Sequence, residues 1–217
     1  MRNITYILLI SVIVLAACAP KTFTEKDLVN VKLTQKDLPT GFIPSPDSDI
    51  QNVTPFAASL QKAVFTSAAT GKIINATIFS NDTSTASHGI ISFNYFPLSA
   101  EEKQQVLTET KKQDLATCCK ILVNILQGDE TSCTQPDFTS MIAVIPSLGK
   151  IADASLGCSL TIPGDSYFEL GYAVNQNVIS FIFEGFNQFN QTDKITPLLD
   201  LKTMLPLMNG KLSTAAK

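Results

Sequence analysis

The stretch YFELGYAVNQNVISFIFEGF, residues 167–186, constrains the fold more than any other part of this sequence. Apolar side chains recur at every second position through residues 168–174 and again through residues 179–183, which is the period-two pattern of a half-buried strand. Asn, Gln and Asn occupy residues 175–177 between the two runs, and asparagine tolerates the positive φ angles of tight turns. The sequence therefore predicts a β-hairpin that presents one apolar face to a core.

Further strands are predicted wherever β-branched and aromatic residues cluster between turn signals. These segments are residues 72–80, 89–98, 141–146 and 154–163. Because strands occur both before and after predicted helices and join mainly through hairpins, the fold class is α+β: a mainly antiparallel sheet with helices packed on it. The folded part is predicted to be a single domain over residues 31–217.

Two helical regions follow from capping signals. Ser99 and Glu102 have the spacing of a capping box, so a helix is expected to begin there, to break within residues 111–114 and to end near Gln127. Thr196 followed by proline predicts another helix start. This last helix presents Leu198, Leu201 and Leu205 on one face, and Pro206 is expected to end or kink it.

The N-terminus has the organisation of an export signal. Arg2 precedes an almost wholly apolar run over residues 4–17, as in a secretory signal peptide. Fourteen helical residues would reach about 21 Å, which is short of a hydrocarbon core of about 30 Å. Residues 1–17 are therefore predicted to be a signal peptide rather than a retained membrane-spanning helix.

The end of this run is more specific. Leu15, Ala16, Ala17 and Cys18 stand in that order, and the stretch resembles the lipobox of bacterial lipoproteins. The resemblance implies diacylglyceryl transfer to Cys18, cleavage before it, and a palmitate-type acyl chain on the mature N-terminus. Residues 18–30 are then the lipidated cysteine with a short tether. The expected location is the cell envelope, on the outer side of the cytoplasmic membrane or in an outer membrane.

The remaining cysteines form an even set in a chain predicted to be exported, which favours disulfides. A bridge between the neighbours Cys118 and Cys119 would be strained, so each of them is expected to pair with Cys133 or Cys158. Cys118 shares a predicted helix face with Leu115, Leu122 and Ile125 that should meet the sheet. Cys118–Cys158 with Cys119–Cys133 is therefore preferred, and the exchanged pairing stays open.

A second resemblance extends over most of residues 33–208. It rests on LTQKDLPTGF at 33–42, LGKIADASLG at 148–157, the late hairpin and the leucine-rich final helix. In this order they resemble uncharacterised bacterial secreted proteins and lipoproteins akin to the PsbP-like α/β/α sandwich and to extracellular sensor domains of actinobacterial kinases. The chain departs from that set in having no tryptophan, and Phe42 stands where tryptophan is common. The resemblance implies a compact non-enzymatic domain and no particular ligand.

Several function classes are disfavoured by composition. A net charge of −3 without a basic cluster argues against nucleic-acid binding. His88 is the only histidine, so no nucleophile–histidine pair with an orienting residue is recognisable in the sequence, and no zinc ligand set is evident. Neither a cofactor nor a metal is predicted, and the chain is not expected to be an enzyme.

Phe186 and Phe189 fall outside the alternation of the hairpin and beyond its expected end. They are therefore the candidates for an exposed apolar binding patch. The sequence predicts a lipid-anchored extracytoplasmic binding or accessory module with a protein partner. The alternative is a carrier or sensor of a small apolar ligand, held in a cavity between sheet and helices.

Overall fold

One antiparallel sheet organises the computed structural model of this chain. The structure describes residues 22–45, 50–65, 70–83, 86–126, 128–145, 148, 152–164, 166–188 and 200–215. Within these ranges the sheet has seven strands in the order β1-β2-β3-β7-β6-β5-β4. The strands are β1 (Ile43–Pro44), β2 (Lys72–Asp82), β3 (Ala86–Phe96), β4 (Ile142–Ile145), β5 (Ala154–Ile162), β6 (Ser166–Asn175) and β7 (Val178–Gln188).

Helices lie on both faces of this sheet. They are α1 (Glu25–Leu28), α2 (Ile50–Val64), α3 (Ala100–Lys112), α4 (Leu115–Ile125), α5 (Pro136–Thr139) and α6 (Leu201–Ala215), with 3₁₀ turns at Gln35–Asp37 and Glu130–Thr134. Residues of α2, α3 and α4 share a core with the first face, and residues of α6 share a separate core with the second. The predicted α+β class is confirmed, and the layers form an α/β/α arrangement.

The predicted hairpin is present as β6 and β7. Its register places Val174 opposite Ile179 and Tyr172 opposite Phe181, and these four side chains are buried in the first-face core. The turn residue with positive φ is Gln176, at 55°, and not an asparagine as the sequence suggested. The alternation predicted this hairpin because every second residue in it has the same apolar environment.

The capping box at the start of α3 is also present. Glu102 N–H donates to the Ser99 hydroxyl at 3.1 Å, and Ser99 N–H donates to a Glu102 carboxylate oxygen at 2.6 Å. The predicted break separates α3 from α4, where Gln113 has φ of 43° and Asp114 caps the new helix. Leu115 was expected on the sheet-facing side of α4, but it is 40% exposed because it lies in the first turn.

Two proline-containing helices depart from the expectations. Pro206 lies inside α6, and the helix continues through it to Ala215, so the expected helix end at Pro206 is wrong, whereas the expected kink stays a prediction. Residues 50–64, for which no helix is predicted from the sequence, form α2 with Pro55 inside. Val53 and Ala57 of α2 are buried, so tertiary packing outweighs the backbone hydrogen bond that proline cannot donate.

The boundary between tether and domain lies earlier than expected. Phe23 and Leu28 are 4% and 0% exposed, and they share a small core with Val178 and Leu212. Residues 23–30 therefore belong to the folded domain, and the boundary at residue 31 is wrong. The predicted signal peptide and Cys18 lie outside the described residues. No helix in the ranges given above is long and apolar enough to cross a membrane.

Candidate functional site

A pair of buried carboxyl groups lies on the second face of the sheet. Glu169 of β6 stands directly opposite Glu184 of β7, and the two residues are 7% and 1% exposed. Successive side chains on a strand point to opposite faces of the sheet. Leu170 and Phe183 point to the first-face core, so the adjacent Glu169 and Glu184 point to the second face. Charged residues are seldom this deeply buried, so the pair marks the candidate functional site.

Tyr167 and Ser159 complete the surroundings of Glu169. The Tyr167 hydroxyl is hydrogen-bonded to the Glu169 carboxylate and to Ser159, which is opposite Glu169 on β5. One carboxylate oxygen of Glu169, Oε2, is buried without a hydrogen-bond partner among the residues described. The site is thus a polar row across three strands in which Glu169 keeps an unsatisfied acceptor oxygen.

The pKa of Glu169 is determined by its burial and by charged residues at the start of α6. Burial, followed by the charge of Asp200, raises the pKa of Glu169 to about 7, while the Tyr167 hydrogen bond and the charge of Lys202 act in the opposite direction. Burial also raises the pKa of Tyr167 to about 12, with a contribution from the Glu169 charge. A carboxyl group that titrates near neutrality can donate or accept a hydrogen bond to a ligand, and such groups concentrate at functional sites.

Phe186 lies next to this row and not in an exposed patch. It is 7% exposed, because β7 extends to Gln188 and Phe186 pairs with Tyr167 on one side and His88 on the other. The expectation that Phe186 lies beyond the strand and is exposed is wrong. Its partner in that prediction, Phe189, lies outside the described residues.

His88 is packed among aromatic rings. Its ring centroid is 4.0 Å from that of Phe186 and 6.3 Å from that of Phe42. Burial lowers the pKa of His88, opposed by the charge of Asp82, so the ring is neutral at physiological pH. In the part of the chain that the structure describes, no three His, Cys, Asp or Glu residues are arranged to hold a metal ion.

The four cysteines pair in the preferred pattern. Cys118 and Cys158 have their sulfur atoms 2.01 Å apart, and the sulfur atoms of Cys119 and Cys133 are 1.99 Å apart. Cys118, Cys119 and Cys158 are completely buried, whereas Cys133 is partly exposed. The first bridge fixes α4 to β5, and the second fixes α4 to the 3₁₀ turn that follows it.

An open groove of about 810 Å³ lies between α1 and the last turns of α6. Its walls combine lysine and aspartate side chains with apolar ones, and they are formed by Lys26, Asp27, Asn30, Val31, Pro206, Leu207, Gly210, Lys211, Thr214 and Ala215. The groove is distinct from the carboxyl pair, since α6 runs from Asp200 near Glu169 towards Leu212 near Phe23. Among the described residues, the carboxyl pair and this groove are therefore separate candidate binding features near the two ends of α6.

Comparison with protein-family models, curated proteins and solved structures gives no significant match for this chain. The resemblance to PsbP-like and sensor domains therefore stays a prediction.

Sequence reasoning did not identify Glu169 and Glu184. A signal was nevertheless available, because each glutamate interrupts a strand at a position that faces away from the apolar side chains. With a two-residue turn at Gln176 and Asn177, counting outward along both strands also places the two glutamates opposite each other. The depth of their burial depends on how α6 packs over this face of the sheet, and no local pattern reveals that packing.

Proposed function

We propose that this chain is an extracytoplasmic lipoprotein that holds a non-enzymatic binding or accessory domain at a membrane surface. The observation that carries the proposal is the pair of disulfides through adjacent residues of α4. Disulfides form and persist in oxidising compartments and are rare in the cytosol. The lipobox-like stretch that ends in Cys18 supplies the complementary argument, because an exported protein with such a cysteine is a substrate for lipidation.

The distance between anchor and domain supports the same proposal. Phe23 is buried in the folded domain and is only five residues after Cys18. At about 3.6 Å for each fully extended residue, five residues span at most about 18 Å. The domain is thus held close to the bilayer, as an accessory module for a membrane-bound partner would be.

The anchoring is tested by replacing the proposed lipid acceptor. Cys18→Ser should abolish acylation and move the protein from the detergent phase to the aqueous phase, or leave its precursor uncleaved. Ala19→Ser is the matched control, since it changes the neighbouring residue and retains the thiol. Detergent-phase partitioning and the mass of the N-terminal peptide give the result. If Cys18→Ser partitions and migrates like the wild type, the lipoprotein proposal is wrong.

The alternative is a carrier or sensor of a small apolar ligand. Its supporting observation is the groove between α1 and α6, whose volume of about 810 Å³ is in the range of small-molecule pockets. Charged side chains in the walls of that groove favour the accessory module over an apolar carrier. Purification from membranes, with identification of both bound proteins and bound lipids, separates the two. A stoichiometric lipid without a protein would favour the carrier.

A further inference from the structure

Two hydrogen bonds hold together the corner of the domain that is nearest to the proposed anchor. Phe23 N–H donates a hydrogen bond of 3.0 Å to the Asn177 side-chain oxygen, and the Asn177 side-chain nitrogen donates one of 3.1 Å to the Phe23 carbonyl oxygen. Asn177 is in the turn between β6 and β7. A lipidated Cys18 would therefore keep Phe23 within about 18 Å of the bilayer surface, with this turn bonded to it and α1 following two residues later.

The groove between α1 and α6 opens at this same corner. Lys26, three residues after Phe23, is in its wall, and Val31 and Leu207 supply apolar surface beside it. Val29 is not in the wall of the groove, but it caps the end of α1 three residues after Lys26 and is 53% exposed. An exposed apolar side chain beside lysines is the composition of a surface that contacts lipid headgroups.

Acidic side chains around the groove are largely neutralised by neighbours. Glu25 pairs with Lys72 and Asp37 pairs with Lys211, each at 2.8 Å. Hydrogen bonds from Lys211 and Thr34 hold the pKa of Asp37 low although burial acts to raise it, so that this pair stays ionised. These two pairs contribute no net charge to the surface.

The positive charge of this surface comes from lysines that have no such acidic partner. Lys26 and Lys32 are exposed, and no ion pair involves either of them within the described part of the chain. Asp27 is the acid among them, and its carboxylate accepts hydrogen bonds from the backbone and hydroxyl of Thr24. Lys26 and Lys32 against Asp27 leave the surface around the groove with an excess of one positive charge, on a chain whose net charge is −3.

We propose that the groove between α1 and α6 binds the headgroups of anionic phospholipids in the membrane that anchors the chain. The inference rests on the proposed function, because the short connection to Cys18 is what brings the groove to the bilayer. Lys26 and Lys32 attract the lipid phosphates, and Val29 contacts the interface beside them. Docking in this orientation directs the carboxyl pair of Glu169 and Glu184 away from the membrane, since that pair lies at the other end of α6.

The experiment uses the full-length lipidated protein in vesicles, with a fluorescent label on Val29→Cys and a matched label on Leu115→Cys. Leu115 is 40% exposed and begins α4 on the other face of the sheet. Quenching by a spin-labelled headgroup is compared in phosphatidylcholine vesicles with and without phosphatidylglycerol. We expect the label at position 29 to be quenched when phosphatidylglycerol is present, and the label at position 115 to be unaffected.

Charge reversal tests the role of the lysines. Lys26→Glu should weaken docking at least about fivefold, because each lysine near an anionic surface changes the equilibrium by about that factor. Lys120→Glu is the control, since Lys120 is an exposed helical lysine on α4. Equal effects of the two substitutions would contradict a specific contribution from the groove.

The remaining outcomes separate this proposal from the proposed function. Equal quenching in both vesicle types overturns headgroup recognition by charge. Quenching or spectral change that depends on protein density indicates a second copy in the groove and also overturns it. A chain that floats with the vesicles but shows no quenching at position 29 leaves anchoring intact and contradicts docking. A chain that does not float with the vesicles contradicts both the proposed lipid anchor and the docking of the groove.

Discussion

Glu169 shows how one residue position combines strand geometry and burial. Its backbone belongs to a central strand, but its carboxyl group is confined between the sheet and the start of α6. Burial favours the neutral form of a carboxyl group, and Asp200 adds to this effect. Below the ordinary pKa of 4.5 this residue is protonated in both the folded and the unfolded state, so it does not alter stability there.

Glu169→Gln should therefore stabilise the protein at about pH 8 and have little effect at about pH 4. As pH rises from 4.5 through 7, the unfolded state loses its proton first, so that the wild type loses stability. The shift corresponds to about 3 kcal/mol, and solvent screening reduces the expected gain to about 1–2 kcal/mol. Urea unfolding at both pH values measures the gain.

Glu101→Gln provides the control for this substitution, because Glu101 is exposed in the first turn of α3. Its effect should be small and equal at the two pH values. A Glu169→Gln variant with the same change in unfolding free energy at both values would show that Glu169 titrates normally in the folded protein.

At the scale of elements, α4 is the most strongly cross-linked segment. Adjacent residues on a helix point about 100° apart, so Cys118 reaches β5 while Cys119 reaches the 3₁₀ turn at Glu130–Thr134. The two disulfides differ in how easily a reductant can reach them, since Cys133 is partly exposed and Cys158 is fully buried. Reduction requires a thiolate to reach a sulfur atom, so access governs its rate.

Mild reduction of the folded protein should open Cys119–Cys133 before Cys118–Cys158. Pulse alkylation followed by peptide mass spectrometry would then find label first on Cys119 and Cys133. The protein should stay folded after this first step, because the longer loop closed by Cys118–Cys158 contributes about 4 kcal/mol against about 3 kcal/mol for the shorter one. Simultaneous labelling of all four cysteines would instead indicate that reduction proceeds through global unfolding.

For the whole molecule, the N-terminal segment completes a core that the remaining chain leaves open. Phe23 and Leu28 pack with Val178 of the sheet and Leu212 of α6. This small core joins the segment next to the proposed anchor to the last helix of the chain. The segment is therefore part of the domain's stability and not a passive spacer.

Phe23→Ala should destabilise the domain by about 3–5 kcal/mol, the usual cost of removing a buried phenylalanine ring. Val29→Ala is the matched control in the same segment, and because Val29 is 53% exposed its effect should stay within about 0.5 kcal/mol. Urea or thermal unfolding gives both values. Equal unfolding midpoints for the two variants would indicate that residues 23–30 belong to the tether and not to the folded domain.

Features that depend on neighbours in the chain could be predicted from the sequence. The alternation at residues 168–174 and 179–183 predicted a hairpin, and the spacing of Ser99 and Glu102 predicted a helix start. Both predictions are correct because backbone geometry repeats every two residues in a strand and every 3.6 residues in a helix. The preferred cysteine pairing also followed from helix geometry, once the face of α4 that meets the sheet had been identified.

How segments remote in sequence cover one another is seen only in the folded structure. Phe186 follows the apolar run and looked exposed, yet it lies between β6 and β3 and is 7% exposed. Phe23 looked like part of a tether, yet Asn177 and Leu212, more than 150 residues later, enclose it. Glu169 is buried because α6 covers its face of the sheet. Burial is a property of the assembled layers, and no local period in the sequence encodes which layer lies above a given residue.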